Sequence, residues 1–66
     1  MSYTVKQARM MSEFTQQEMA EKMNISRDTY RRIEGNPETA TIAQGKQIAA
    51  ITGIAFDSIF FGANST

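Results

Sequence analysis

The sequence predicts an all-α protein, a compact five-helix arrangement without strands, and three observations predict it. Met19, Ala20, Met23, Ile25, Tyr30 and Ile33 fall at spacings that let two consecutive helices face one shared core. Hydroxyl residues suited to cap helices, Thr15 and Ser26, stand directly before those two runs. The chain has 66 residues with no Cys and no His, so neither a disulfide nor the usual zinc ligand set can brace it. A domain this small buries only about 60% of its unfolded surface, and helix packing has to supply the stability.

The elements follow in order. A first helix is expected from about Tyr3 to Met11, with Val5, Ala8 and Met11 turned inward. Thr15 opens the second, and Glu18, three residues later, completes a capping box. Asn24 occupies the corner after it, where a steep change of direction needs a left-handed backbone that Asn tolerates better than most residues. Ser26 caps the third helix, with Asp28 in its first turn where the helix dipole favours an acid. Gly35 ends that helix and Pro37 cannot continue it. Thr39 to Thr41 lead into a fourth helix that ends near Thr52, with Gly53 as its stop. Gly45 inside it costs roughly 1 kcal/mol relative to Ala, which is either a plain weakness or room for another helix to approach. A short fifth helix is expected from about Phe56 to Phe61, followed by a small, polar, frayed tail over 62–66. One domain spans 1–66.

The stretch TQQEMAEKMNISRDTYRRIE, residues 15–34, carries most of the functional content. Two short amphipathic helices joined at Asn24, the second with Arg27, Asp28, Arg31 and Arg32 on its outward side, form the pattern of a helix-turn-helix, whose second helix enters the DNA major groove. Gln16 with Ala20 four residues on, the corner residue, the capping Ser26 and the closing Ile33-Glu34 resemble the lambda-repressor-like (Cro/repressor, XRE) DNA-binding family. Downstream, GNPETATIAQGKQIAAITGIAFDSIF is similar to that family's fourth and fifth helices, with Ile48, Ala49, Gly53, Ile54, Phe56 and Ile59 at apolar or turn positions. The similarity covers roughly residues 3–60. Two positions depart from the pattern: Tyr30 stands where a smaller aliphatic residue is usual, and Thr52 replaces a typical leucine, which leaves the register of the fourth helix open by one residue.

The resemblance implies roles for particular side chains. Arg9 is expected to pair with Glu34 and tie the first helix to the end of the third; the alternative is two ordinary surface charges. Arg27, Asp28 and Arg32 are the expected base-contacting residues. An arginine can bond O6 and N7 of guanine and an aspartate can accept from cytosine N4. The competing reading is a solvated helix face with Asp28 paired internally to Arg31 or Arg32. Gln16, assisted by Gln17, is expected on the phosphate backbone, as are Arg31 and the loop residues Asn36, Thr39 and Thr41. Lys6 and Lys46 are more distant candidates. The family generally binds palindromic operators as two-fold dimers with recognition helices about 34–36 Å apart. The dimer interface is expected at Phe60 and Phe61, unless both rings pack on the domain's own first helix.

Composition narrows the function classes. No Ser-His or Cys-His pair, Gly-rich phosphate loop or metal set can be assembled, so no enzyme is expected and no cofactor is implied. No stretch approaches the ~20 apolar residues of a membrane span, and MSYTVKQARMM has no cleavage-like pattern; a soluble, cytoplasmic domain is the expectation. The favoured function is a sequence-specific double-stranded DNA-binding regulator, a repressor of bacterial or phage type. The formal net charge of zero and pI near 6.1 are low for such a domain. They favour an alternative, a protein-interaction module of the same fold that binds another regulator or partner without strong DNA affinity.

Overall fold

The computed structural model describes residues 2–62. Four α-helices dominate it: α1 (Val5–Met11), α2 (Gln16–Met23), α3 (Arg27–Gly35) and α4 (Ile42–Thr52). Single 3-10 turns at Pro37–Thr39 and Phe56–Ser58 precede α4 and the chain's exit. Two short strands, β1 (Tyr3–Thr4) and β2 (Ile59–Phe60), pair in parallel, with Tyr3 opposite Ile59 and Thr4 opposite Phe60.

That pairing corrects the sequence expectation at both ends. The helix expected from Tyr3 starts instead at Val5, because Thr4 is its cap. The Thr4 hydroxyl accepts from the Gln7 amide at 3.0 Å, and the Gln7 side chain returns a bond to the Thr4 amide at 2.9 Å. The fifth helix is absent among the described residues. The Ser58 amide closes one 3-10 turn on the Ala55 carbonyl, after which Ile59 is extended at φ −106°, ψ 130°. Bulky Ile59, Phe60 and Phe61 in succession suit a pleated strand better than a helix, and β1 offers an edge to pair with. Of the tail expected at 62–66, only Gly62 is described, and it is buried; 63–66 lie outside the described residues.

One core serves all four helices. Val5 and Ala8 of α1, Met19, Ala20 and Met23 of α2, Tyr30 and Ile33 of α3, Ile48 of α4 and Ile59 of β2 are its buried members. Met11, expected inward, is 57% exposed. Positions 5, 8 and 12 share the inner face at helical spacing, so Ser12 takes that place, and its hydroxyl donates to the Ala8 and Thr52 carbonyls at 3.0 and 3.1 Å. The contact uses the Thr52 backbone carbonyl; the Thr52 side chain turns back on its own helix, its hydroxyl donating to the Ile48 carbonyl at 2.7 Å. As expected, α4 ends at Thr52, and Gly53 caps it in the left-handed region, φ 75°.

Gly45 is buried, and the reason is steric. A Cβ there would come within 2.8 Å of the Phe56 ring and 3.3 Å of Phe61. Those rings stack on each other, centroids 5.4 Å apart. The close neighbour is thus an aromatic pair from the chain's exit and not another helix.

Candidate nucleic-acid interface

The corner between α2 and α3 is built from backbone geometry first. Asn24 is left-handed (φ 58°, ψ 43°), and the Ile25 amide reaches back to the Ala20 carbonyl at 3.0 Å. Thr15 and Glu18 form the capping box of α2, with bonds of 2.8 and 3.0 Å. Ser26 caps α3 by accepting from the Thr29 amide at 3.1 Å. With both starts fixed and Tyr30 and Ile33 held in the core, α3 has one rotation about its axis open to it.

That rotation leaves Arg27, Asp28, Arg31 and Arg32 exposed. Internal pairing of Asp28 with Arg31 or Arg32 is not formed: among the described residues the one salt bridge is between Arg9 and Glu34. Three cations and one carboxylate therefore stand on the outward side of a capped helix with their donors and acceptors free for a ligand.

Beneath α3 lies a polar cluster. Arg9 Nε donates to Glu34 Oε2 at 2.5 Å and Nη2 to Oε1 at 3.4 Å, while Nη1 donates to the Phe14 carbonyl at 3.0 Å. The two side chains are 12% and 6% exposed. Gln16, the first residue of α2, donates its amide to Glu34 Oε1 at 3.0 Å. Tyr30 fills the space alongside; its ring is fully buried and its hydroxyl has no hydrogen-bond partner of good geometry among the described residues. Burial, and then the nearby Glu34 carboxylate, push the Tyr30 phenol well above its ordinary value. Burial alone would raise Glu34, but the bonds from Arg9 and Gln16 and the facing Tyr30 hydroxyl outweigh it, and the carboxyl stays below its usual range. The Arg9 guanidinium is held more firmly protonated by Glu34, against the opposing effect of its own burial.

The remaining sequence candidates occupy the edges. Gln17 is exposed and donates to Glu21 one turn along at 3.1 Å. The Thr39 hydroxyl donates to the Asn36 carbonyl at 2.8 Å, so its proton is already used in the turn after α3. Thr41 caps α4 by accepting from the Gln44 amide at 3.0 Å, which leaves its hydroxyl proton to donate elsewhere. Lys6 and Lys46 are exposed on α1 and α4. Phe60 and Phe61 part company: Phe60 is 43% exposed, whereas Phe61 packs against the core, stacking on Phe56 and lying against Gly45 of α4. Sequence reasoning missed the open groove of about 410 Å³ beside them, whose lining includes Ile59, Phe61, Glu38 and Asp57. It also missed the Gln16–Glu34 bond, since 18 residues separate the partners and no local pattern links them.

The helix-turn-helix family model, XRE-type and lambda-repressor-like, matches residues 5–59, well over half the chain. The chain belongs to this helix-turn-helix family. No curated protein and no solved structure gives a significant match. Members of the family are DNA-binding transcription regulators and generally not enzymes, and this helix-turn-helix protein has the family's mostly helical fold. No helix among the described residues is long and apolar enough to cross a membrane.

Proposed function

We propose that this helix-turn-helix protein is a sequence-specific repressor that reads the major groove of a palindromic operator with α3, as a dimer. The observation that carries the reading is the exposed, unpaired set Arg27, Asp28, Arg31 and Arg32 on a helix whose opposite side is locked by Tyr30 and Ile33. Arg27, Asp28 and Arg32 meet base edges. Arg31, Gln16, Gln17, Asn36, Thr39 and Thr41 serve the sugar-phosphate backbone. Thr41 and Gln16 keep a proton to give, so they are the stronger of the uncharged contacts. Glu34 does not count against the local charge, because Arg9 neutralises it below the surface.

Dimerisation would compensate for the small footprint of one domain. The surface for it is the chain's exit, where Phe60 and Phe56 are exposed and Phe61 lines the adjoining groove. The same groove is the feature that favours the second reading, a module that binds another protein. Selection from random duplexes at two salt concentrations separates the two. A repressor selects a two-fold sequence and loses affinity with a log–log slope near −0.9 per neutralised phosphate; a partner-binding module selects none.

A further inference from the structure

We infer that Glu34 is a positioning residue for DNA binding, setting the direction in which Gln16 offers its amide to a backbone phosphate; this rests on the reading of Gln16 as a phosphate contact. The Gln16 side chain has two ends, a carbonyl oxygen and an NH2 group, which an unconstrained amide presents in either order. An ionised carboxylate is acceptor-only, so the 3.0 Å contact to Glu34 Oε1 admits the NH2 end alone. One amide hydrogen is spent on Glu34. The other is held at a fixed angle to it, because the amide is planar, and remains available to a phosphate oxygen. Burial would raise the carboxyl, but Arg9 first, and then the facing Tyr30 hydroxyl and Gln16, outweigh it, so the carboxylate stays ionised.

A carboxylate beside a phosphate contact would ordinarily repel the ligand. Here Arg9 cancels that charge through two contacts to the same carboxylate, Nε to Oε2 and Nη2 to Oε1. Thus one ion pair does two things: it joins α1 to α3, and it fixes a neutral donor at the start of α2 without leaving net negative charge beneath it. The backbone of α2 cannot do this alone. Gln16 is the first residue of the helix, where no preceding turn restrains its side chain.

The test is a cycle of four proteins on a selected duplex: wild type, Gln16→Ala, Arg9→Met/Glu34→Gln, and the triple variant. The Arg9→Met/Glu34→Gln pair removes both charges together, so no lone ion is buried, and its glutamine can face Gln16 with either end. Thermal melts identify the folded proteins. Gln16→Ala should weaken wild-type binding about tenfold, the scale of one lost hydrogen bond to a charged group, and less than about twofold in the paired background. An equal loss in both backgrounds overturns the positioning role while leaving the DNA reading intact. Absence of duplex binding by the wild type overturns both. Should the paired variant fail to fold, the Gln16 side-chain amide of the wild type is followed by NMR. On adding duplex, the hydrogen facing Glu34 should keep its shift while its partner moves; loss of the Glu34 bond on binding contradicts the proposal.

Discussion

Arg9 of α1 and Glu34 of α3, 25 residues apart in sequence, meet at 2.5 Å beneath the exposed arginines. Both side chains are largely withdrawn from water, so the pair is costly to break and not necessarily costly to replace. It links α1 to the last turn of α3. Arg9→Met and Glu34→Leu should each destabilise by about 3–5 kcal/mol, because the surviving charge is left alone. The double variant should lose far less than the sum of the two. Urea denaturation checks this, and strictly additive losses would remove the pairing from the stability of the fold.

Stability should fall at both pH extremes for identifiable reasons. Glu34 is depressed in the folded state, so its contribution is complete above the ordinary carboxylate value of 4.5 and is lost as pH falls through the folded value. Tyr30 is raised when folded, so the fold loses stability as pH climbs past the ordinary phenol value of 10.0. Denaturation midpoints against pH should therefore show an acid limb and an alkaline limb. The acid limb should be shallower in Arg9→Met/Glu34→Leu; an unchanged limb would assign it to other carboxylates.

Two corners hold non-glycine residues in the left-handed region, Glu13 at φ 62° and Asn24 at φ 58°. Glu13 has no special tolerance for that conformation, whose cost is roughly 1–2 kcal/mol. Glu13→Gly should raise stability by about 0.5–1 kcal/mol after the added chain entropy of glycine. Asn24→Gly should gain less, and Asn24→Ala should lose. Melting temperatures of the three variants give the order directly, and a destabilised Glu13→Gly would contradict it.

Gly45→Ala sets two effects against each other. Helix propensity favours alanine by about 1 kcal/mol, while the new methyl would sit 2.8 Å from the Phe56 ring. Overpacking costs about 1–3 kcal/mol, so a net loss of about 1 kcal/mol is expected. Shifted Phe56 and Phe61 ring resonances should accompany it. A stabilised variant with unmoved rings would mean that the aromatic stack does not need the glycine.

The parts of this fold that local chemistry dictates were legible in the sequence. Thr15 with Glu18, Ser26, Asn24 and Gly53 announce helix ends through their own side chains or backbone freedom, and α2, α3 and α4 lie where those residues put them. The ends of the chain were not legible. Tyr3–Thr4 and Ile59–Phe60 are too short to show alternation, and each is a strand only because the other lies beside it. Glu13 gave no warning either, since nothing in a glutamate marks a left-handed corner. At the candidate site, the exposure of Arg27, Asp28, Arg31 and Arg32 followed from the spacing of Tyr30 and Ile33. The hold of Glu34 on Gln16 depends on how α2 and α3 cross, and no spacing encodes that.

The most direct measurement compares wild type, Arg32→Ala and Arg31→Ala on a selected duplex and on a scrambled one, across a salt series. Arg32→Ala should lose about 1–3 kcal/mol on the selected duplex, with the base preference at one position relaxed. Arg31→Ala should weaken both duplexes alike and make the salt dependence shallower by about one unit of slope. If neither arginine alters affinity or preference, α3 does not read DNA.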